Sequence, residues 1–152
     1  SRLDAVFLER VIGNVLRSQR ITRAELSVVI VADRAIHALN RRFLGHDYPT
    51  DVVTFDLSER ETSRRNRRKV RSLDGEIYVS AVTALRQARE RGLDPKQELI
   101  LYIVHGILHL LGYDDHSAGE RKVMRIMEKK IMEKIKGRGT PCGCPDQMDP
   151  KR

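Results

Sequence analysis

The chain has 152 residues, 40% hydrophobic and 33% charged, with 29 basic against 21 acidic side chains and a formal net charge of +8. That length suits one domain with a real core, and the composition excludes both a disordered chain and a membrane-embedded one. No apolar run reaches the roughly 18 residues that a membrane-spanning helix needs, and the N-terminal residues mix charge with apolar side chains, unlike a secretion signal, so a cytoplasmic address is expected.

In chain order, residues 5–16 place Phe7, Leu8, Val11, Ile12, Val15 and Leu16 at helical spacing, which predicts a helix with one apolar face. Residues 25–31 are rich in β-branched side chains and read as a buried strand, with Asp33 after it as the cap of a helix that runs to about Phe43. Gly45 and the Asp47-Tyr48-Pro49-Thr50 turn stop that helix, and residues 51–57 have strand composition.

The basic excess is local. Residues 59–72 carry Arg60, Arg64, Arg65, Arg67, Arg68, Lys69 and Arg71 against Glu59 and Glu61, which accounts for five of the eight net charges. Such a stretch is either a solvated loop or a contact for a polyanion. Beyond it, residues 75–80 alternate as a strand, and residues 81–91 form a helix closed by Gly92, with Ser80 placed to cap it.

The next helix has the clearest boundaries, with Asp94 as cap, Pro95 in the first turn, Gln97 at the capping-box position and Gly112 beyond its end. Ser117 and Glu120 form a second capping box that opens a terminal helix to about Ile135, with Val123, Ile126, Met127 and Ile131 on its apolar side. Residues 137–152 lack periodicity and read as a flexible tail behind a single domain over residues 1–136. Cys142 and Cys144 in that tail are too close in sequence for a structural disulfide and too few for a closed zinc site.

The chemistry lies around the end of that well-bounded helix. His105 and His109 are four residues apart, so their Cβ atoms sit about 5–6 Å apart on one face and two imidazoles can converge on a metal at ~2.0 Å. A His pair alone reads equally well as a buried, hydrogen-bonded core feature. Three of the chain's five histidines, however, fall within residues 105–116. Gly112 lets the chain turn back so that His116 supplies a third nitrogen, leaving the open position of a catalytic zinc site. His37 and His46 show no such arrangement and read as ordinary polar residues.

A bound metal lowers the pKa of water and neutralises charge on a phosphoryl or carbonyl oxygen, so either hydrolysis is open. In His-Glu-x-x-His peptidases the residue after the first histidine is the general base. Here that position is Gly106, which cannot take a proton. Beside a basic stretch with Arg64, Arg65, Arg67, Arg68 and Lys69 as candidate substrate contacts, the site suits a phosphodiester.

The chain resembles the YbeY endoribonuclease family across Leu39-Asn40, the Asp47-Tyr48-Pro49-Thr50-Asp51-Val52 turn, Gly75-Glu76-Ile77, and His105-Gly106-Ile107-Leu108-His109-Leu110-Leu111-Gly112-Tyr113-Asp114. The resemblance implies an α+β fold, a small mixed sheet flanked by helices with the metal-binding helix central. It also implies a zinc-dependent endoribonuclease that cuts single-stranded RNA in 16S ribosomal RNA 3′-end maturation and ribosome quality control, with the small ribosomal subunit as partner and no membrane.

Two positions depart from the family pattern. The family's third histidine falls six residues after the second, which here is Asp115, with His116 one place later; either could ligate, since a carboxylate oxygen is an acceptable zinc donor, but the polar turn has room to shift and His116 is favoured. Leu44 stands where the family has an arginine after the aromatic Phe43, and Arg41 or Arg42 is the nearest substitute. Asp114 and Asp115 are candidates to orient water or a ligand. Thr50 and Asp51 read first as hydrogen-bonding their own turn. The competing function is a ribosome-assembly module that binds RNA around a structural metal, and a peptidase stands further off.

Overall fold

The computed structural model describes residues 4–48, 50–58 and 72–137. The basic stretch with Arg64, Arg65, Arg67, Arg68 and Lys69, and Cys142 and Cys144 with the rest of the expected tail beyond Gly137, lie outside the described residues.

The elements run α1 (Ala5–Ser18), β1 (Arg23–Val31), α2 (Asp33–Leu39), a π-helical turn (Asn40–Leu44), β2 (Val52–Asp56), β3 (Ser72–Ser80), α3 (Ala81–Arg91), α4 (Pro95–Leu110) and α5 (Ala118–Lys136). The three described strands form one mixed sheet in the order β1-β3-β2, with β1 parallel and β2 antiparallel to β3. This is the expected α+β architecture, and α4 is its central helix.

β3 is the middle strand because alternate residues bury Leu73, Gly75, Ile77 and Val79 on one face. Val28 of β1 and Thr54 of β2 lie opposite Ile77, so they share that face. α4 covers it. Ten of the 16 residues of α4 are buried, among them Ile103, Val104, Ile107 and Leu108, so this helix is apolar nearly all round and packs on several sides at once. α1 and α5 close the core from beyond α4 with Val11, Val15, Met124, Ile131 and Ile135.

The contact between α4 and the sheet depends on a missing side chain. A Cβ at Gly106 would lie 2.7 Å from Ile77 Cγ2 and 3.2 Å and 3.3 Å from the γ-methyls of Thr54 and Val52. Gly75 plays the reciprocal part, since a Cβ there would meet the Phe55 carbonyl at 2.8 Å and Leu110 Cδ1 at 2.9 Å.

Four expectations change in detail. β1 is an edge strand with Val29 36% and Ile30 44% exposed, because one of its sides is unpaired among the described residues and only Leu26 and Val28 pack on the core. The cap of α2 is Ala32, and Asp33 begins the helix, its carboxylate accepting instead from the Ser80 and Thr83 hydroxyls. The helix expected to reach Phe43 widens into a π turn at Asn40, whose buried amide donates to the Tyr48 carbonyl at 2.9 Å and whose own carbonyl accepts from both Gly45 and His46. On α5, Val123 and Ile126 are exposed, and the buried stripe is Met124, Ile131 and Ile135.

The caps read from sequence hold where the site depends on them. Asp94 accepts from the Lys96 amide at 3.0 Å, Ser80 from the Thr83 amide at 3.0 Å, and Ser117 and Glu120 complete a reciprocal box. Each such cap contributes about 1 kcal/mol.

Gly106→Ala gains up to about 1 kcal/mol of helix propensity but forces a methyl against β-branched side chains on an ordered sheet, at a cost of about 1–3 kcal/mol. The expected balance is net destabilisation by roughly 1–2 kcal/mol, read as a lower denaturant midpoint at unchanged slope, whereas Gly119→Ala, with open space around it, is neutral or stabilising.

Candidate metal centre

His105 and His109 occupy successive turns at the C-terminal end of α4, and their Nε2 atoms face each other at 2.9 Å with the rings nearly perpendicular, at 87°. The other nitrogen of each ring is committed. His105 Nδ1 donates to Glu128 Oε1 on α5 at 2.7 Å, and His109 Nδ1 donates to the Tyr113 carbonyl at 3.1 Å. Those bonds fix the tautomers, so in the neutral rings both Nε2 lone pairs point into the same small space.

Asp115 brings a carboxylate to that space. Its Oδ2 lies 3.6 Å from His105 Nε2 and 3.9 Å from His109 Nε2. The turn after α4 determines this placement. Tyr113 N–H bonds the Leu108 carbonyl at 3.0 Å and Gly112 N–H bonds the His109 carbonyl at 2.9 Å, while Gly112 takes φ +93°. That is the paired bonding of a Schellman motif, which reverses the chain over the last helical turn. One reversal therefore orients His109 through the Tyr113 carbonyl and returns Asp115 toward the two imidazoles.

Together His105, His109 and Asp115 offer three donor atoms within 4.8 Å of one another, all from partly buried residues. Two imidazole nitrogens, each backed by a hydrogen bond to its far side, and one carboxylate oxygen form a donor set that fits a divalent transition metal.

The remaining predicted residues fall outside this convergence. His116 has a side chain 80% exposed, with Nε2 3.2 Å from Asp114 Oδ1. Asp114 also accepts the Asp115 amide at 2.8 Å, so it shapes the turn. His37 pairs with Asp47 at 2.9 Å, His46 stacks on Tyr48, and Arg42 lies over the Phe43 ring. Arg41 and Leu44 are exposed in the π turn. Thr50 donates to the Val52 carbonyl at 3.1 Å and to the Asp51 carboxylate at 3.4 Å, the local roles expected of a turn, while the Asp51 carbonyl reaches across the sheet to accept the Ser80 amide at 2.9 Å. Both residues nevertheless line an open cleft of about 610 Å³ that reaches His105, Asp115 and Glu128.

Glu128 is the residue that sequence reasoning missed. No local spacing ties it to His105, 23 positions earlier. The signal was its place on α5, a lone carboxylate in step with Met124, Ile131 and Ile135 on the face the helix buries.

The electrostatics separate the two imidazoles. Burial lowers the His105 pKa, but the Glu128 hydrogen bond and the charges of Glu128, Asp51 and Asp115 outweigh it and leave the net shift upward. Burial lowers that of His109, and the neighbouring charge of His105 lowers it further. His105 thus stabilises the metal-free fold fully below the ordinary 6.5, and this contribution is lost as pH rises through its folded pKa. The contribution of His109 has the opposite sign, present above 6.5 and lost as pH falls through its folded pKa. In NMR titration of metal-free protein, His105 should titrate above 6.5 and His109 below it, and Glu128→Gln should move the His105 midpoint downward because the largest upward contribution is then lost while burial remains. Two midpoints both at the ordinary value would contradict the geometry.

Comparison with known proteins agrees with the fold and the motif. The family model described as Endoribonuclease YbeY matches residues 3–136, which include every described element. The protein of that name from Persephonella marina is 35% identical over 131 residues, covering 86% of this chain and 82% of its own length. Its counterpart from Pelotomaculum thermopropionicum is 38% identical over 129 residues, covering 84% of each. A solution structure from Thermotoga maritima superposes with a TM-score of 0.59 at 29% identity, covering 95% of this chain and 96% of that one. With the match spanning both imidazoles, the turn after them and the helix that carries Glu128, the chain belongs to the YbeY endoribonuclease family.

Proposed function

We propose that this protein is a metal-dependent endoribonuclease that cuts single-stranded RNA, with one divalent ion held by His105, His109 and Asp115. The observation that carries the reading is the convergence of two tautomerically fixed Nε2 atoms and a carboxylate at the edge of an open cleft. Zinc is the proposed ion, since two imidazoles and one carboxylate leave it a position for substrate or water.

Asp115 replaces His116 as the proposed third ligand. Its carboxylate oxygen lies within 4 Å of both Nε2 atoms, whereas the His116 ring is solvent-exposed and engaged with Asp114. A bound ion supplies Lewis acidity, lowering the pKa of water and offsetting charge that develops on a phosphoryl oxygen. The chain's own residues do the positioning. Glu128 holds His105 and stabilises positive charge on its side of the site, the Tyr113 carbonyl orients His109, and Arg121 fixes the loop of Asp115 by donating to the carbonyls of Asp115 and His116 at 3.2 Å and 2.7 Å.

Peptide hydrolysis is disfavoured by the same packing that builds the site. A carboxylate at position 106, where His-Glu-x-x-His enzymes keep their base, would have to occupy space taken by Ile77, Thr54 and Val52. An RNA substrate also agrees with the +8 net charge and with the basic residues Arg64, Arg65, Arg67, Arg68 and Lys69. Within that reading we place the protein in the cytoplasm, acting on the small ribosomal subunit in 16S RNA 3′-end maturation and ribosome quality control, as the family resemblance implies. Among the described residues no helix is long and apolar enough to cross a membrane.

Zinc-loaded protein should cut single-stranded RNA, stop when the metal is chelated and resume on reloading. His109→Ala should abolish cutting while far-ultraviolet circular dichroism stays unchanged. Loss of RNA cleavage at every metal loading, with unfolding on chelation, would instead indicate an RNA-binding module around a structural metal.

Calorimetric zinc titration resolves the third ligand. Asp115→Ala should weaken binding by about tenfold or more, on the scale of losing even an outer partner of a ligand, and His116→Ala by less than about threefold. The reverse ranking would restore His116.

A further inference from the structure

We propose that the groove running from the histidine pair along α4, between α3 and α5, is a phosphate track in which Arg86, Arg121 and Arg125 hold the RNA backbone beside the bond to be cut. The proposal rests on the endoribonuclease reading of the site and extends it to substrate-binding residues outside the basic stretch at 59–72.

The groove's floor is one face of α4, from Glu98 through Leu101 and Tyr102 to His105. The seven helical steps from Glu98 to His105 make that floor about 10 Å long. Arg86 on α3 stands on one wall, and Arg121 and Arg125 on α5 form the other.

Charge is sorted along this groove. Asp51, Asp115 and Glu128 gather at the His105 end, where a divalent ion offsets them. At the far end Arg91 is already spent, since its Nη1 meets Glu98 Oε1 at 2.7 Å and that carboxylate is 2% exposed. The other three arginines retain donors. Arg86 places Nη1 3.8 Å from Asp33 and donates through Nη2 to Thr83 Oγ1 at 3.3 Å, Arg121 uses one nitrogen on the two loop carbonyls, and Arg125 has no hydrogen bond or ion pair among the described residues. A guanidinium carries five N–H donors in a fixed fork, so each keeps a face for a phosphate.

The lining also says what is read. Besides the His105 imidazole, which the proposed metal site engages, Tyr102 is the one aromatic ring among these lining residues, and it is buried at 6% exposure, so the groove offers charge without a free stacking platform. Contacts of that kind position a backbone and carry no sequence information. The expected ligand is therefore a single strand held by its phosphates, whatever its bases.

The test uses zinc-loaded full-length protein and a short single-stranded 2′-O-methyl oligonucleotide as an uncut probe, with affinity measured across a salt series. The Arg86→Gln/Arg125→Gln double variant should bind about tenfold or more weakly at low salt. Its log–log salt slope should flatten by about 1.4, roughly 0.7 for each lost phosphate contact. Arg125→Lys should keep the slope. Lys122→Gln/Lys129→Gln removes two charges from α5 outside the groove and should change affinity by less than threefold. Should the double variant fail to fold, Arg125→Gln alone carries the test, expecting a slope change of about 0.7.

Equal losses in the arginine and lysine pairs, an unchanged slope in the arginine variant, or no binding by the parent protein would overturn the track. If the parent binds the probe with these dependences yet leaves unmodified RNA uncut, the nuclease reading fails and the track stands.

Discussion

With Nδ1 of His105 bound to Glu128 and Nδ1 of His109 bound to the Tyr113 carbonyl, two nitrogen lone pairs are left facing each other 2.9 Å apart. Neutral imidazoles in that arrangement repel, so the site needs a proton or a cation between them. The structure builds three restraints that keep the rings from relaxing apart. α4 is buried on most of its surface and cannot rotate, α5 supplies the carboxylate behind His105, and the Schellman turn supplies the carbonyl behind His109. Such backing raises the basicity of a ligand imidazole as well as fixing its orientation, so packing far from the proposed ion would become affinity for it.

Two glycines make those restraints compatible. Gly106 lets α4 approach the sheet until helix backbone meets the methyls of Ile77, Thr54 and Val52, which places the histidine-bearing end of the helix next to Thr50 and Asp51 at the start of β2. Gly112 adopts a backbone angle that L side chains rarely take and sends the chain back over the helix end. A bulkier residue at 106 would lift α4 off the sheet and draw His105 from the turn whose Asp51 charge it feels. The glycine that denies the site a peptidase's base is thus also what assembles the site.

How much of this was legible follows from how local each determinant is. The His105/His109 pairing could be read because helical geometry alone sets an i, i+4 contact, and the caps at Asp94 and Ser117 bounded the two helices concerned. The third donor was less legible. Asp114, Asp115 and His116 are consecutive, and one residue of rotation in the turn decides which of them faces inward. The room in this polar turn left either residue able to reach the pair and tipped the sequence reading to His116, while the bonding of Tyr113 and Gly112 to α4 brings Asp115 to the pair. Burial on β1 and on α5 was hidden for a different reason. Val29, Ile30, Val123 and Ile126 have core chemistry, but sheet order leaves the first two at an edge. The phase of α5 is set by the face that delivers Glu128 to His105, which turns Val123 and Ile126 outward.

The clustering of acids around the histidines bears on why arginines stand along the groove. Asp51, Asp115 and Glu128 serve a cation well and a polyanion badly, since an RNA phosphate approaching the metal-free site meets like charge in a partly desolvated pocket. Ion pairs of the Arg91–Glu98 kind would spend positive charge on the protein itself. In the proposed track Arg86, Arg121 and Arg125 keep N–H donors beyond the bonds they make within the protein, which leaves attraction available to the strand on both walls, while the acids stay at the end where an ion offsets them. In the proposed reading, substrate attraction and metal retention then operate on adjacent parts of one groove with opposite charge requirements, and α4, lying under both, sets their spacing.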